Sequence, residues 1–217
     1  KEKKVSYHEL FGLSQFKYEW LDNNQFQAKT YKEINPTSPF YLFRPEATGN
    51  EHYLQWKSLP EIFPVNSVGI VTSRDGLTIQ ESPNQVRKTI HHFASLDTET
   101  ARRAYKLGKD SRDWKVEYAQ KDLKDSGLSD ANIVPILYRP FDIRYTYYTG
   151  KSRGFHCMPC NKVMRHMLKE NVGMVIGRQG LAVGDNHLWN LVSISQSIID
   201  FNLFYRGGGL IAPLYLY

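Results

Sequence analysis

Three helix signatures in succession, flanked on both sides by short apolar runs and turn residues, restrict this chain to a fold with a small helical block set among strands. The first starts at Ser82-Pro83, where a serine can cap, a proline suits the first turn, and Gln85 is placed to complete a capping box. Val86, Ile90, Phe93 and Ala94 follow on one helical face, opposite Arg87, Lys88 and His91. A second helix is predicted over 98–107, closed by Gly108. A third spans 113–123, with Trp114, Tyr118 and Leu123 inward and Gly127 beyond.

Beyond Asp130 the texture changes to short strands separated by Gly and Asn turns, predicted over 133–138, 144–148, 172–178, 191–194 and 199–204, with a helix over 158–168. Upstream, Pro36 and Pro39 forbid a helix, Phe40-Tyr41-Leu42-Phe43 reads as a short strand, and 67–72 reads as a buried strand leaving through Ser73-Arg74-Asp75-Gly76. The expected class is therefore α+β, a mixed β-sheet with a helical insert at about 82–127 and a strand-rich lobe at about 131–217. Residues 1–34 show no clean period and read as a connecting segment from a missing upstream domain, leaving 35–217 as one domain.

At 217 residues with 41% hydrophobic and 23% charged side chains, the chain can bury a core and is too apolar for a disordered one. Its net charge of +6 favours a polyanionic partner. Tyrosine is the commonest aromatic, supplying flat hydrogen-bonding surface suited to bases or interfaces. No run of eighteen apolar residues exists and Lys1-Glu2-Lys3-Lys4 leads into no signal-peptide core, so no membrane association and a cytoplasmic location are expected. Two cysteines, Cys157 and Cys160, exclude a disulfide framework and fit a reducing compartment.

Catalytic patterns are missing. Asn35-Pro36-Thr37-Ser38 lacks the second proline and aromatic of an amino-methyltransferase loop, and no cofactor-binding glycine turn precedes it. Gly207-Gly208-Gly209 has no phosphate-binding spacing, and the sole Glu-X-Lys, Glu2-Lys3-Lys4, lies in a charged terminus without a nuclease aspartate. Cys157-Met158-Pro159-Cys160 has the spacing of half a zinc knuckle, which His156 and His166 could complete. Two semi-buried thiols at a helix start are the plainer reading, and no metal is expected. No nucleophile elbow is present, so no residue is assigned a catalytic role.

The segment Tyr138-Arg139-Pro140-Phe141-Asp142-Ile143-Arg144, then Tyr147-Tyr148, Lys151-Ser152-Arg153 and Asn161-Lys162-Val163-Met164-Arg165-His166-Met167-Leu168, resembles the C-terminal target-recognition region of single-polypeptide type I (type ISP) restriction-modification enzymes and related fused adenine-specific DNA methyltransferases. Ile176-Gly177-Arg178-Gln179, Pro213-Leu214-Tyr215-Leu216-Tyr217 and, upstream, Gly69-Ile70-Val71-Thr72-Ser73-Arg74-Asp75 and Asp113-Trp114-Lys115 extend the resemblance over most of the chain after about Asn35. It implies a target-recognition-domain fold and binding of double-stranded DNA. It also implies an upstream methyltransferase domain using S-adenosylmethionine, with nuclease and motor parts elsewhere, and no cofactor in this fragment. The alternative is a non-catalytic scaffold that clamps neighbouring domains without reading bases.

For DNA contact the basic and amide side chains on loops stand out, because cations bind phosphates and Arg, Asn or Gln can pair with base edges. Lys151, Arg153 and His156 lie in a loop flanked by Gly150 and Gly154. Arg178 and Gln179 enter a glycine loop with Asn186 and His187, and Arg74 occupies the Ser73-Asp75 turn. Lys162 and Arg165 offer phosphate contacts from a helix. For these cations solvation or pairing is the competing reading: Arg178 with Asp185, Arg74 with Asp75 or another carboxylate. Arg139, Asp142 and Arg144 are expected to form a structural network between strands. Tyr147 and Tyr148 should alternate, one in the core and one free for DNA.

Overall fold

The computed structural model describes residues 4–25, 30–38, 41–45, 51–177, 191–204 and 208–217. Contacts divide the chain into two units, Lys1–Lys57 and Ser58–Tyr217, a division downstream of the 34/35 boundary read from sequence. In the first unit β1 (Val5–Tyr7) pairs antiparallel with β2 (Lys32–Ile34), with Val5 opposite Ile34. Helix α1 (Ser14–Asn23) buries none of its side chains, and α2 is a single turn (Glu51–Leu54). Of the strand expected at 40–43, Phe40 lies outside the described residues. Tyr41 adopts a positive φ of 46° and 41–43 are irregular, since that backbone conformation cannot continue a strand.

The second unit opens with α3 (Leu59–Ile62), whose start is fixed by a capping box in which the Ser58 N–H donates to the Glu61 carboxylate at 2.6 Å. There follow β3 (Ser67–Val68), α4 (Asp75–Thr78), α5 (Pro83–Ser95), α6 (Thr98–Ala104) and α7 (Val116–Asp125). Ser82 caps α5 by accepting from the Gln85 N–H, while the Gln85 side chain takes the N–H of Glu81, one residue earlier than a capping box would have it. Val86, Ile90, Phe93 and Ala94 pack with Leu77, Ala101, Trp114, Ala119 and Leu123 into a helical core. The buried Gln120 ties α7 to the end of α5, donating to the carbonyls of Phe93 and Leu96 at 2.9 Å each. Tyr118 corrects the sequence expectation: α7 begins only at Val116, so its buried positions are 116, 119, 120, 122 and 123. Tyr118 turns outward under the Lys115 ammonium.

The strand-rich part holds β4 (Ile133–Arg139), β5 (Asp142–Tyr147), α8 (Asn161–Met167), β6 (Gly173–Ile176), β7 (Val192–Ser195), β8 (Ile198–Ile199) and β9 (Leu210–Pro213). One sheet is mixed, ordered β5-β4-β8, with β4 antiparallel to β5 and parallel to β8; the other is antiparallel, ordered β3-β9-β6-β7. The fold class is α+β. The central strand β9 is not anticipated by the sequence, because four residues after a glycine run and ending in proline carry no alternation. Ile70, Ile136, Val163, Met164, Val175, Ile199 and Ile211 form the core between the sheets and α8.

The end of strand β5 and the residue after it serve both cores. Tyr147 packs in the helical core with its hydroxyl on Ser126 and Asn132, and Tyr148 packs in the sheet core donating to the Pro159 carbonyl. Both are buried, which overturns the expectation that one of them is free for DNA: at this end of the strand one core takes each face. No helix among the described residues is long and apolar enough to cross a membrane.

Candidate nucleic-acid interface

Between β5 and α8 the chain runs through a loop, 149–157, that is held from below by one buried carboxylate. Asp122, on the inner face of α7, accepts from the Thr149 hydroxyl and from the Phe155 N–H, each at 2.8 Å. The carboxylate lies so close to Gly154 that a Cβ there would sit 2.2 Å from Asp122 Oδ2. Gly150 takes a left-handed φ of 74° beside Asn161, so both glycines are demanded by the loop path. Arg153, also left-handed at φ 56°, and Gly154 donate their N–H groups to the carbonyls of Cys157 and His156. Trp114 Nε1 donates to the Phe155 carbonyl at 3.1 Å. The backbone of this loop is thus set before any ligand arrives.

Its two cations lie at the surface, each on a carboxylate of the helical insert. Lys151 Nζ is 3.1 Å from Asp125, which also accepts from Lys121 at 3.2 Å. Arg153 Nη2 is 3.3 Å from Asp113, which Arg112 grips at 2.8 Å. Hydrogen bonds from Lys151 and Lys121 hold the Asp125 carboxyl below its ordinary range, and those from Arg112 do the same for Asp113.

A second polar assembly surrounds the Tyr138 ring at the end of β4. Arg139 stacks on it at 3.8 Å and Arg144 at 4.9 Å, and the Tyr138 hydroxyl donates to Asp75 at 2.8 Å. Arg139 pairs with the buried Asp200 at 2.7 Å, and Arg144 with Asp142 at 3.0 Å. Burial lifts the Asp200 carboxyl above its usual range, against the pull of Asn202 and Arg139, and raises the Tyr138 hydroxyl to about 12. At the hairpin tip beyond, Phe141 is fully exposed with φ 64°.

Residues 61–217 match the family described as the Type ISP C-terminal specificity domain. This chain belongs to that family. Among solved structures, the DrdV–DNA complex determined by cryo-electron microscopy is similar over 100% of this chain and 23% of DrdV, at 20% identity and a TM-score of 0.51. LlaBIII, an ATP-dependent Type ISP restriction-modification enzyme bound to DNA, aligns over 87% of this chain and 12% of its own, at 16% identity and a TM-score of 0.48. A nuclease-deletion mutant of the Type ISP enzyme LlaGI with a DNA substrate mimic aligns over 84% and 19%, at 18% identity and a TM-score of 0.44. The chain spans less than a quarter of the length of each of these proteins. No curated protein sequence matches significantly.

On the specificity domain the basic residues singled out from sequence meet different fates. Lys151 and Arg153 share the pinned loop, and Lys162 and Arg165 are exposed on α8. His156 must be withdrawn as a DNA contact, since it is buried beneath the loop with Nε2 2.8 Å from the Thr146 hydroxyl. That hydroxyl already donates to the Thr78 carbonyl, so the imidazole carries its proton on Nε2, and burial depresses its pKa to about 4. Arg74 is also redirected. Its guanidinium donates to the carbonyls of Ser73, Leu107 and Lys109 and lies over Trp114 at 4.9 Å, which ties its turn to the helical insert. Asp75, its expected partner, takes Thr72 and Tyr138 instead.

Arg178, Gln179, Asn186 and His187 lie outside the described residues. Cys157 and Cys160 are unbridged, their thiols directed at the carbonyls of Asp113 and Gly69. Arg112, Lys121 and Asp122 went unnoticed in the sequence. They sit on the helical insert, and only the tertiary fold brings them to a loop some thirty residues away, so no local spacing signals them.

Proposed function

We propose that this specificity domain docks on double-stranded DNA and selects the site at which an adenine methyltransferase domain of the same polypeptide, using S-adenosylmethionine, and a nuclease act. The observation that carries this reading is the loop 149–157, a prebuilt backbone that holds Lys151 and Arg153 at the surface. A preset loop gives up little conformational entropy on binding, so the attraction of its cations for phosphate is not spent on ordering it. Family membership and the likeness to a protein solved with DNA support the same reading. The domain itself does no chemistry: it supplies register and sequence choice, and the flipped adenine is handled elsewhere.

The test is a graft. With this domain placed in a related Type ISP enzyme in exchange for the corresponding segment, mapping of N6-methyladenine should give a new recognition sequence. An active chimera that still methylates the host's original site would overturn the reading.

A second reading, a clamp between domains without base readout, is favoured by the outer face of the antiparallel sheet. There Val192 and Ile194 are exposed, and a cavity of about 200 Å³ is lined by Leu59, Phe63, Met174, Ile176 and Leu210. Salt separates the two, because DNA affinity falls steeply with ionic strength and an apolar interface barely responds.

A further inference from the structure

We propose that the loop 149–157 and helix α7 together form a clamp for the DNA phosphate backbone, made of two cation–carboxylate–cation triads, Arg112–Asp113–Arg153 and Lys121–Asp125–Lys151. It rests on the DNA-docking reading above and goes further, assigning this surface to affinity and register and not to sequence choice.

The charge arithmetic is the first argument. In each triad one carboxylate is shared by two cations, so each carries a net positive charge. The cations themselves lower the carboxyls' proton affinity, so both carboxylates stay ionised at neutral pH and each triad keeps its net charge.

Geometry is the second. Asp113 lies just before α7 and Asp125 ends it, so Lys151 and Arg153 reach toward opposite ends of the helix from one pinned turn. Ten helical residues span about 15 Å, on the order of four base-pair steps of duplex, a separation over which two phosphates can be held at once.

The third argument concerns donors. Arg153 gives one Nη2 donor to Asp113 and Arg112 gives Nε and Nη2, so each guanidinium is held by its acid and keeps further N–H groups to offer. Lysine is a point charge with no fork to aim. What remains on each side chain, N–H groups not engaged by its carboxylate, suits a phosphate oxygen, which asks for charge and place and no particular pattern. Asp113 and Asp125 are positioning residues here, the acids that stop four long side chains from wandering.

The experiment measures binding of the chain to two duplexes, one with the methylated sequence and one scrambled, between 50 and 200 mM salt, for the wild type and for Arg112→Gln, Lys121→Gln, Lys151→Gln and Arg153→Gln. All four residues are exposed, and a melting curve checks each fold. Each variant should weaken both duplexes by the same factor and flatten the salt dependence by roughly 0.9 in log–log slope, about a threefold smaller loss of affinity over that range. If Arg112→Gln and Lys121→Gln leave affinity and slope at wild-type values, the clamp is wrong while DNA docking stands. If any of the four variants loses affinity for the methylated sequence alone, that side chain reads bases and the clamp is again wrong. A wild type that binds neither duplex overturns the docking reading itself.

Discussion

Asp122 accepts the backbone N–H of Phe155 at 2.8 Å from inside helix α7, and the intervening space admits no side chain at Gly154. This contact joins the helical insert to the exit of β5, so the element that buries the helical core also fixes the loop that carries Lys151 and Arg153. On the proposed reading, affinity for DNA depends on the packing of α7.

Gly154→Ala puts a methyl group onto a carboxylate that cannot move without losing Thr149 and Phe155. Overpacking at a rigid buried site typically costs about 1–3 kcal/mol. The expected result is a lower denaturation midpoint at unchanged m-value, with weakened DNA binding even at temperatures where the variant is fully folded. Wild-type stability would show that the carboxylate yields freely.

The helices of the insert were legible because their signals are local: Ser82-Pro83 and the Val86, Ile90, Phe93, Ala94 stripe specify α5 without any other part of the chain. Strands β4 and β5 were legible as segments, at 133–138 and 144–148, but not as a pair. The site was only half legible. Lys151 and Arg153 announced themselves between glycines, but whether a cation meets solvent, a carbonyl or a carboxylate is decided by partners far along the chain, as Arg74 on Leu107 and Lys109 illustrates. His156 looked like a loop residue by composition and is in fact part of the floor, because the loop folds back so that Gly154 and His156 bond to each other.

Acid should destabilise this domain through His156. Its folded pKa, about 4, lies below the ordinary value of 6.5, so the unfolded chain takes up a proton that the folded one refuses. Stability from this group is complete above pH 6.5 and is lost as the pH falls from 6.5 to 4, by on the order of 3 kcal/mol in all. Urea denaturation at pH 7, 5.5 and 4 measures it. In His156→Gln the loss between pH 6.5 and 5 should shrink; an unchanged slope would place the proton uptake elsewhere.

Arg139 is the only cation on the buried carboxylate of Asp200 among the described residues. Arg139→Met strands a desolvated charge, and because the arginine is one-third exposed the cost should be on the order of 2 kcal/mol, below that of a wholly buried pair. Asp200→Asn in the same chain removes the charge and should recover part of that loss. A double-mutant cycle reads the coupling, and strictly additive effects would mean the pair is not coupled in solution.

Phe141 combines two costs that a folded protein usually avoids, a full-size aromatic ring in water and a left-handed backbone at a residue with a Cβ. Neither is repaid within the domain, where the ring is fully exposed. Asn tolerates this backbone region through its short polar side chain, so Phe141→Asn should stabilise the chain by roughly 0.5–1 kcal/mol, seen as a higher melting temperature with the same fold. The same variant measured for DNA affinity then separates strain without purpose from strain kept for contact: a gain in stability with a loss of binding places the ring against the duplex, and a gain in stability alone leaves it as an incidental feature of the turn. A drop in melting temperature would mean that the Phe141 ring supports the hairpin in some way its exposure does not reveal.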